Sequence, residues 1–212
     1  MYDIERLRQQ PNYREGKWWM CPVNLEADVA APFRGRSVVL HDVTLRDGEQ
    51  TVGVAFSPEE RVKIAVALDE LRVPRIEVGL PPTSEEVREG MRRIAALGLN
   101  AQLYGFARTL KSDVDMTIDC GLTRVVLQHI MNPYACEGAY GLDREKVKDR
   151  VVKGIAYAKE RGLEVVFLGW DLTRGDDWDF VQDLYATIVR DARPDGIVVV
   201  DTFGVANPRA VS

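Results

Sequence analysis

The sequence predicts an α/β protein built on the (β/α)8 TIM barrel, with about six of the eight βα units present. Two observations carry this prediction. From Ser37 onward, short apolar segments alternate with longer amphipathic ones at intervals of about 30 residues, the pattern of strands and helices in a parallel sheet. Polar side chains also recur where the apolar segments end, at the edge where a barrel keeps its active site.

Residues 1–36 precede this pattern and show no clear period, because prolines interrupt apolar residues that include Trp18 and Trp19. We expect an N-terminal extension whose tryptophans pack against the barrel or a second subunit. The predicted division is therefore an extension over residues 1–36 and a partial TIM-barrel catalytic domain over residues 37–212.

Six strands are predicted from short apolar runs. Both faces of these runs are apolar, which is typical of parallel strands that are covered on both sides. They are Val38–Leu45, Arg75–Gly79, Ala101–Ala107, Arg124–Ile130, Glu164–Trp170 and Gly196–Thr202.

The helices between the strands carry recognisable start and stop signals. Ser57-Pro58-Glu59-Glu60 supplies an N-cap, a proline at the first helical position and a capping-box glutamate. Ser84 opens the second helix in the same way, and Gly98 closes it. Later helices are predicted over Leu142–Arg161 and Phe180–Ala192, where a glycine follows the first and a proline the second.

Consecutive βα units fit either an open doubly wound sheet or a closed barrel. No G-x-G-x-x-G follows the first strand, which removes the usual reason to prefer a dinucleotide-binding sheet. The polar residues at the C-terminal ends of the strands favour the barrel instead: Arg46, Asp47, Glu77, Arg108, His129, Asp171 and Asp201. Eight units would close the barrel, so six imply that the sequence is a fragment or that a partner supplies the rest.

The composition excludes several classes of function. The formal net charge is -5 and basic residues are scattered, so no electrostatic footprint for nucleic acid exists. Three cysteines without a C-x-x-C pair argue against a disulfide framework and a structural zinc site. No apolar run approaches the roughly 18 residues of a membrane span. We expect a cytoplasmic protein that binds neither nucleic acid nor a membrane.

The first strand ends in Thr44-Leu45-Arg46-Asp47-Gly48-Glu49-Gln50, which places a guanidinium beside a carboxylate at a strand-to-loop corner. On spacing alone, a salt-bridged loop and a functional site are equally good interpretations. The motif resembles the signature of the D-R-E TIM metallolyases (HMGL-like, or pyruvate carboxyltransferase, domains), the family of 2-isopropylmalate synthase, homocitrate synthase and hydroxymethylglutaryl-CoA lyase. Three further strand ends resemble the family in order: Ile76-Glu77-Val78-Gly79-Leu80-Pro81, Phe106-Ala107-Arg108 and Val200-Asp201-Thr202-Phe203-Gly204-Val205-Ala206-Asn207-Pro208.

The resemblance implies a divalent metal, Mg, Mn or Zn, with Asp47 as a ligand. Such an ion would chelate a 2-oxo acid and polarise its ketone. The resemblance also implies that Arg46 stabilises the enolate oxygen and that Glu77 orients Arg46 or a metal-bound water. For Glu77, a carboxylate that merely pairs with a barrel-mouth arginine is the alternative.

Three further residues are candidates for substrate binding. Arg108 could hold the substrate carboxylate through two hydrogen bonds, and Thr202 could hydrogen-bond the substrate from the sixth strand. The alternative for Thr202 is a β-branched residue that simply belongs in a strand. His129 ends the fourth strand, where it is either a general acid or base or a histidine satisfied by its neighbours.

Two departures from the family pattern stand out. The family carries an H-x-H pair of metal ligands on the seventh strand, whereas this sequence has only His41 and His129, so the missing pair would lie beyond Ser212. At the fifth strand, Trp170 replaces the acid of an E-D-x-x-R pattern. We assign no role to His41, because it lies early in the first strand.

The function that the resemblance implies is an acyl-CoA-dependent 2-oxo acid synthase of amino-acid biosynthesis. Acetyl-CoA would be enolised and attack the 2-oxo acid, after which the thioester would be hydrolysed. One alternative is a carbon–carbon lyase or aldolase of the same family. Another is an inactive barrel that serves as a partner subunit. A homodimer is expected by analogy.

Overall fold

The computed structural model describes residues 4–175 and 177–207. Pro208, the last residue of the sixth-strand motif, lies outside the described residues. The chain divides into two compact units, with the boundary between Val39 and Leu40.

The N-terminal unit is built from very short elements. A short hairpin is held by ring contacts, since the Tyr13 and Trp19 rings meet edge to face at 6.0 Å and the Arg14 guanidinium lies 5.4 Å from the centre of the Trp18 ring. The predicted packing of the tryptophans stays a prediction. The elements are α1 (Ile4–Arg8), β1 (Tyr13–Arg14), β2 (Trp18–Trp19) and α2 (Ala27–Ala30).

The second unit contains six parallel strands whose order in the sheet is their order in the chain. An open doubly wound sheet would reverse this order part of the way across. An unbroken order places every crossover helix on one side and turns the other face inward, so the predicted partial barrel is confirmed. The strands are β3 (His41–Asp42), β4 (Arg75–Gly79), β5 (Gln102–Arg108), β6 (Arg124–Ile130), β7 (Glu164–Trp170) and β8 (Gly196–Val199).

The helices predicted to start after Ser57 and Ser84 do so, whereas the two later ones start at Arg144 and Trp178 rather than at Leu142 and Phe180. Ser57 and Glu60 form a reciprocal capping box, and the Ser84 hydroxyl accepts a hydrogen bond from the first turn of its helix. The last predicted helix ends at Thr187 and continues to Ala192 as a π-helical turn. No described helix is long and apolar enough to cross a membrane. The helices are α3 (Pro58–Glu70), α4 (Glu85–Ala95), α5 (Lys111–Asp119), α6 (Pro133–Tyr140), α7 (Arg144–Glu160) and α8 (Trp178–Thr187).

The first predicted strand, Val38–Leu45, is much shorter than expected. Only His41 and Asp42 pair with β4. The Asp42 carboxylate accepts hydrogen bonds from the Thr44 amide and hydroxyl groups, at 2.9 and 3.1 Å. The carbonyl of Val43 then accepts from three successive amide groups, so the chain turns as soon as β3 ends. The sixth strand likewise ends three residues before its predicted end.

Strand residues alternate between two apolar layers. Ile76, Leu127 and Phe167 point outward and are buried beneath the helices. Tyr104 and Phe106 belong to a second cluster that points into the barrel. The inward layer carries the candidate site at its C-terminal end.

Candidate active site at the C-terminal ends of the strands

The centre of the site is the pair formed by Arg46 and Glu77. Arg46 Nε donates to Glu77 Oε2 at 2.5 Å, and its Nη1 donates to Asp47 Oδ1 at 2.7 Å. The guanidinium also lies over the Phe106 ring, 4.0 Å from the ring centre. The Glu77 side chain is 4% exposed and that of Arg46 is 12% exposed. Charge-assisted bonds and a ring face therefore hold this arginine in one orientation.

His41, to which the sequence assigns no role, belongs to the same cluster. Its Nε2 donates to Glu77 Oε1 at 3.1 Å, so both carboxylate oxygens of Glu77 are engaged. The His41 ring is also tilted against Tyr104, with the ring centres 5.1 Å apart. His41 pairs in register with Arg75, which makes it the diagonal neighbour of Glu77. The contact between His41 and Glu77 therefore follows from the register of β3 on β4, and the position of His41 within a long predicted strand did not indicate it.

Four of the predicted site residues line one cavity of about 680 Å³: Arg46, Asp47, Glu77 and Thr202. Part of its lining is apolar and comes from the inward faces of four strands. The apolar wall is formed by Phe106, Val126, Leu168, Trp170, Val198 and Val200. A charged cluster and an apolar surface thus border a space large enough for a small organic substrate.

Thr202 is anchored to the loop after β7. Its Oγ1 accepts the backbone N–H of Asp171 at 2.8 Å. Asp171 is buried in a left-handed conformation, and its carboxylate accepts two hydrogen bonds from Arg174, at 2.7 and 2.8 Å. It also accepts one from Asn132 at 3.0 Å. Asp171 and Arg174, the D-x-x-R residues that follow β7, therefore set the position of the Thr202 hydroxyl.

Arg108 lines a second cavity of about 350 Å³, beside the first and separate from the Arg46 cluster. Its guanidinium already makes two hydrogen bonds to the buried Asp113 carboxylate, from Nε at 2.7 Å and from Nη2 at 3.0 Å. This ion pair raises the pKa of Arg108. Only the remaining nitrogen, Nη1, makes no hydrogen bond to the described residues, so a ligand carboxylate would share this arginine with Asp113.

His129 lines the same second cavity. Its Nδ1 lies 2.8 Å from the carbonyl oxygen of Ile130, and since a carbonyl only accepts, Nδ1 carries the proton. Burial lowers the pKa of His129 below its ordinary value, against the opposing effect of this hydrogen bond. The neutral imidazole therefore presents Nε2 as an acceptor near neutral pH.

The described residues do not make a metal site by themselves. The Asp47 side chain is 61% exposed, and one of its oxygens accepts from Arg46. Within residues 4–175 and 177–207, no three His, Cys, Asp or Glu side chains are grouped to hold an ion. One carboxylate is a weak ligand set for a divalent cation, so the role of Asp47 as a metal ligand stays a prediction.

These features define a class of protein: a parallel βα barrel chain with an arginine–carboxylate pair at the C-terminal edge of its first two strands. The chain belongs to the HMGL-like family, whose sequence model matches residues 37–212. The resemblance drawn from the motifs is therefore confirmed at the level of the family.

Curated relatives agree with this assignment, and a solved structure shares the fold. The chain is 41% identical over 174 residues both to homocitrate synthase AksA of Methanopyrus kandleri and to 2-isopropylmalate synthase of Methanocaldococcus jannaschii. Each alignment covers 82% of this chain but only 43% and 33% of those relatives, so the chain spans less than half their length. The crystal structure of hydroxymethylglutaryl-CoA lyase from Pseudomonas aeruginosa matches with a TM-score of 0.65 at 16% identity. That match covers 81% of this chain and 60% of the lyase and shows the shared fold.

Proposed function

We propose that this chain carries the site of an acyltransferase that condenses acetyl-CoA with a 2-oxo acid and depends on a divalent metal. The observation that supports this proposal most is the orientation of Arg46. Glu77 and Asp47 occupy its Nε and Nη1, whereas Nη2 makes no hydrogen bond to the part of the chain that the structure describes. A fixed guanidinium with one unused donor beside a cavity is suited to a developing oxyanion.

In the proposed condensation, a base, for which His129 Nε2 is the candidate, removes a proton from the methyl group of acetyl-CoA. The resulting enolate carbon forms a bond to the ketone carbon of the 2-oxo acid, while the π electrons of the ketone move to its oxygen, which takes up a proton. Negative charge develops on the enolate oxygen before the bond forms, and Arg46 Nη2 would donate to that oxygen. Glu77 and His41 keep the guanidinium in place, so no reorganisation is needed when the charge appears. Hydrolysis of the thioester then releases the thiol of coenzyme A.

Substrate binding is proposed for the three further residues. The Thr202 hydroxyl accepts from a backbone N–H, so its own proton is available to a substrate oxygen. Arg108 would offer Nη1 to a carboxylate, and His129 would offer Nε2 as an acceptor. Because Arg108 and His129 line the second cavity, a substrate that met all three residues would extend across Trp170, which lines both cavities.

Asp47 is proposed as one ligand of the divalent ion, which would supply Lewis-acid polarisation of the ketone when bound. Since no three candidate ligands are grouped among the described residues, we expect the chain alone to bind Mn²⁺ or Zn²⁺ weakly. The same observation favours a second candidate function, in which this barrel is an inactive partner subunit. A homodimer is the proposed assembly, which sedimentation equilibrium tests.

The deciding experiment measures release of the coenzyme A thiol from acetyl-CoA with a panel of 2-oxo acids, with and without Mg²⁺, Mn²⁺ or Zn²⁺. We expect release to require both a 2-oxo acid and a metal. It should fall by about 100-fold or more in Arg46→Lys and stay unchanged in the control Arg93→Lys, an exposed arginine on α4.

The other outcomes separate the alternatives. Cleavage of hydroxymethylglutaryl-CoA without thiol release would point to the lyase. Absence of both activities, together with no heat of metal binding in isothermal titration, would contradict the proposed synthase and support the partner subunit.

A further inference from the structure

Arg61, on α3, is a charged side chain with no exposed surface. Its Nη1 donates to two backbone carbonyls, those of Leu45 and Val78, both at 3.2 Å, and its Nη2 pairs with Glu49. Its Nε has no partner among the described atoms. A buried guanidinium with an unpaired nitrogen is a poor source of stability, since an apolar side chain of similar volume packs at least as well. Stability alone therefore does not explain why an arginine occupies this buried position.

The two carbonyls that Arg61 binds flank the centre of the site. Leu45 immediately precedes Arg46, and Val78 immediately follows Glu77. A single nitrogen atom therefore bridges the two backbone segments that carry the 2.5 Å contact between Arg46 and Glu77.

This bridge replaces a sheet ladder that is missing at this point. Strand β3 pairs with β4 only through His41 and Asp42, so the loop that carries Arg46 has no ladder pairing to β4. Without another connection, the separation between this loop and Glu77 would depend on side chains alone. Arg61 supplies that connection from the side of the backbone that faces the helices.

Two neighbours keep Arg61 in this orientation. Glu49 pairs with its Nη2 through Oε2, while Oε1 of Glu49 accepts the Phe56 amide at 3.0 Å. Gly90 on α4 lies against the aliphatic part of the Arg61 side chain, where an added Cβ would come within 2.4 Å of Arg61 Cδ. The guanidinium is therefore confined by a charge at its end and by helix backbone along its length.

We propose that Arg61, oriented by Glu49, is a positioning residue that sets the distance between Arg46 and Glu77. The proposal rests on the proposed function only for the chemical roles of Arg46 and Glu77. The effect of Arg61 on the distance between Arg46 and Glu77 can be tested without measuring enzymatic activity.

The test follows the Nε–H resonance of Arg46 by ¹H–¹⁵N NMR in the full 212-residue chain, assigned by its loss in Arg46→Lys. In Arg61→Lys, the charge is kept, but the side chain ends one bond short of the Nη atoms, and its single nitrogen cannot replace both Nη1 at the two carbonyls and Nη2 at Glu49. We expect the Arg46 Nε proton to exchange with water about tenfold faster or more, because its contact with Glu77 opens more often. The matched control is Ala65→Gly, a buried change on the same helix that lowers thermal stability and removes none of the hydrogen-bonding atoms of the bridge.

Equal acceleration in Arg61→Lys and Ala65→Gly would show that Arg61 acts only through overall stability and would overturn the proposal. If Arg61→Lys does not fold, Glu49→Gln replaces it, because the amide keeps the shape and removes the charge that orients Arg61. We expect about threefold faster exchange or more in that variant, and no change would also overturn the proposal. Faster exchange in Arg61→Lys, together with no thiol release by the wild-type chain, would reject the proposed function and leave the positioning role standing.

Discussion

Replacing Glu77 by glutamine tests the electrostatic centre of the site, because the change keeps the shape of the side chain and removes its charge. Glu77 accepts from Arg46 Nε at 2.5 Å and from His41 Nε2 at 3.1 Å, and it is 4% exposed. Without this carboxylate, the nearly buried guanidinium keeps Asp47 as its one charged partner among the described residues. The folded state should therefore lose free energy.

The size of the loss follows from the contacts that remain. Removing one partner of a buried ion pair costs about 3–5 kcal/mol, and a hydrogen bond to a charged group contributes about 1.5–3 kcal/mol. In Glu77→Gln, the amide oxygen still accepts from Arg46, and the Phe106 ring still covers the guanidinium. We therefore expect a loss of about 2 kcal/mol, which lowers the melting temperature of a chain of this size by about 4–8 °C.

The assay is thermal unfolding followed by circular dichroism, with Glu164→Gln as the matched control. Glu164 also accepts from an arginine, Arg124 Nε at 2.9 Å, and from the Tyr104 hydroxyl at 2.7 Å, at the opposite end of the strands. Its side chain is 35% exposed, so solvent screening limits the expected loss to about 1 kcal/mol. A fall in Glu77→Gln no larger than that in Glu164→Gln would refute the reasoning.

Three further predictions concern packing, pH and reactivity. Gly90→Ala should lower the free energy of unfolding by about 1 kcal/mol despite the gain in helix propensity, because the new Cβ meets the Arg61 side chain at 2.4 Å. Gly138→Ala, where nothing lies within 4 Å of the added Cβ, should raise it by about 0.5 kcal/mol. Equal urea midpoints for the two variants would contradict this. Burial lowers the pKa of His129, so the unfolded chain binds a proton at this histidine first as the pH falls below about 6.5, and the free energy of unfolding should decline from there toward the folded pKa. His129→Asn should weaken this decline. An NMR titration midpoint of His129 above 6.5 in the folded chain would exclude the effect. Burial raises the pKa of Cys136 to about 11, so about one Cys136 thiol in a thousand is ionised at pH 8. Its alkylation, mapped by mass spectrometry, should therefore be slow until the chain unfolds. Rapid labelling of Cys136 in the folded chain would contradict the burial.

Several elements could be predicted from the sequence because their signals are local. Strands β4, β6 and β7 have the predicted bounds, since each is an apolar run bounded by residues that end helices or start loops. The capping box that starts α3 involves residues only three positions apart. The motif around Arg46 and Asp47 was recognisable for the same reason, because it is contiguous.

Other features depend on pairs of residues that are distant in the chain. The length of β3 could not be predicted, because the apolar run continues while the Val43 carbonyl turns the backbone. The separation of Arg108 from the Arg46 cavity also escaped prediction, since both residues follow strand ends and only their side-chain partners distinguish them.

By itself, the sequence determined that this protein is built of βα units and carries Arg46, Asp47 and Glu77 at the C-terminal edge, because apolar period, caps and contiguous motifs are local properties. Only the tertiary structure decided that His41 engages Glu77 and that Arg61 bridges the backbone beside Arg46. The physical reason is register: which side chains meet across β3, β4 and α3 depends on how far each segment extends and where it turns, and those distances are set by the packed core.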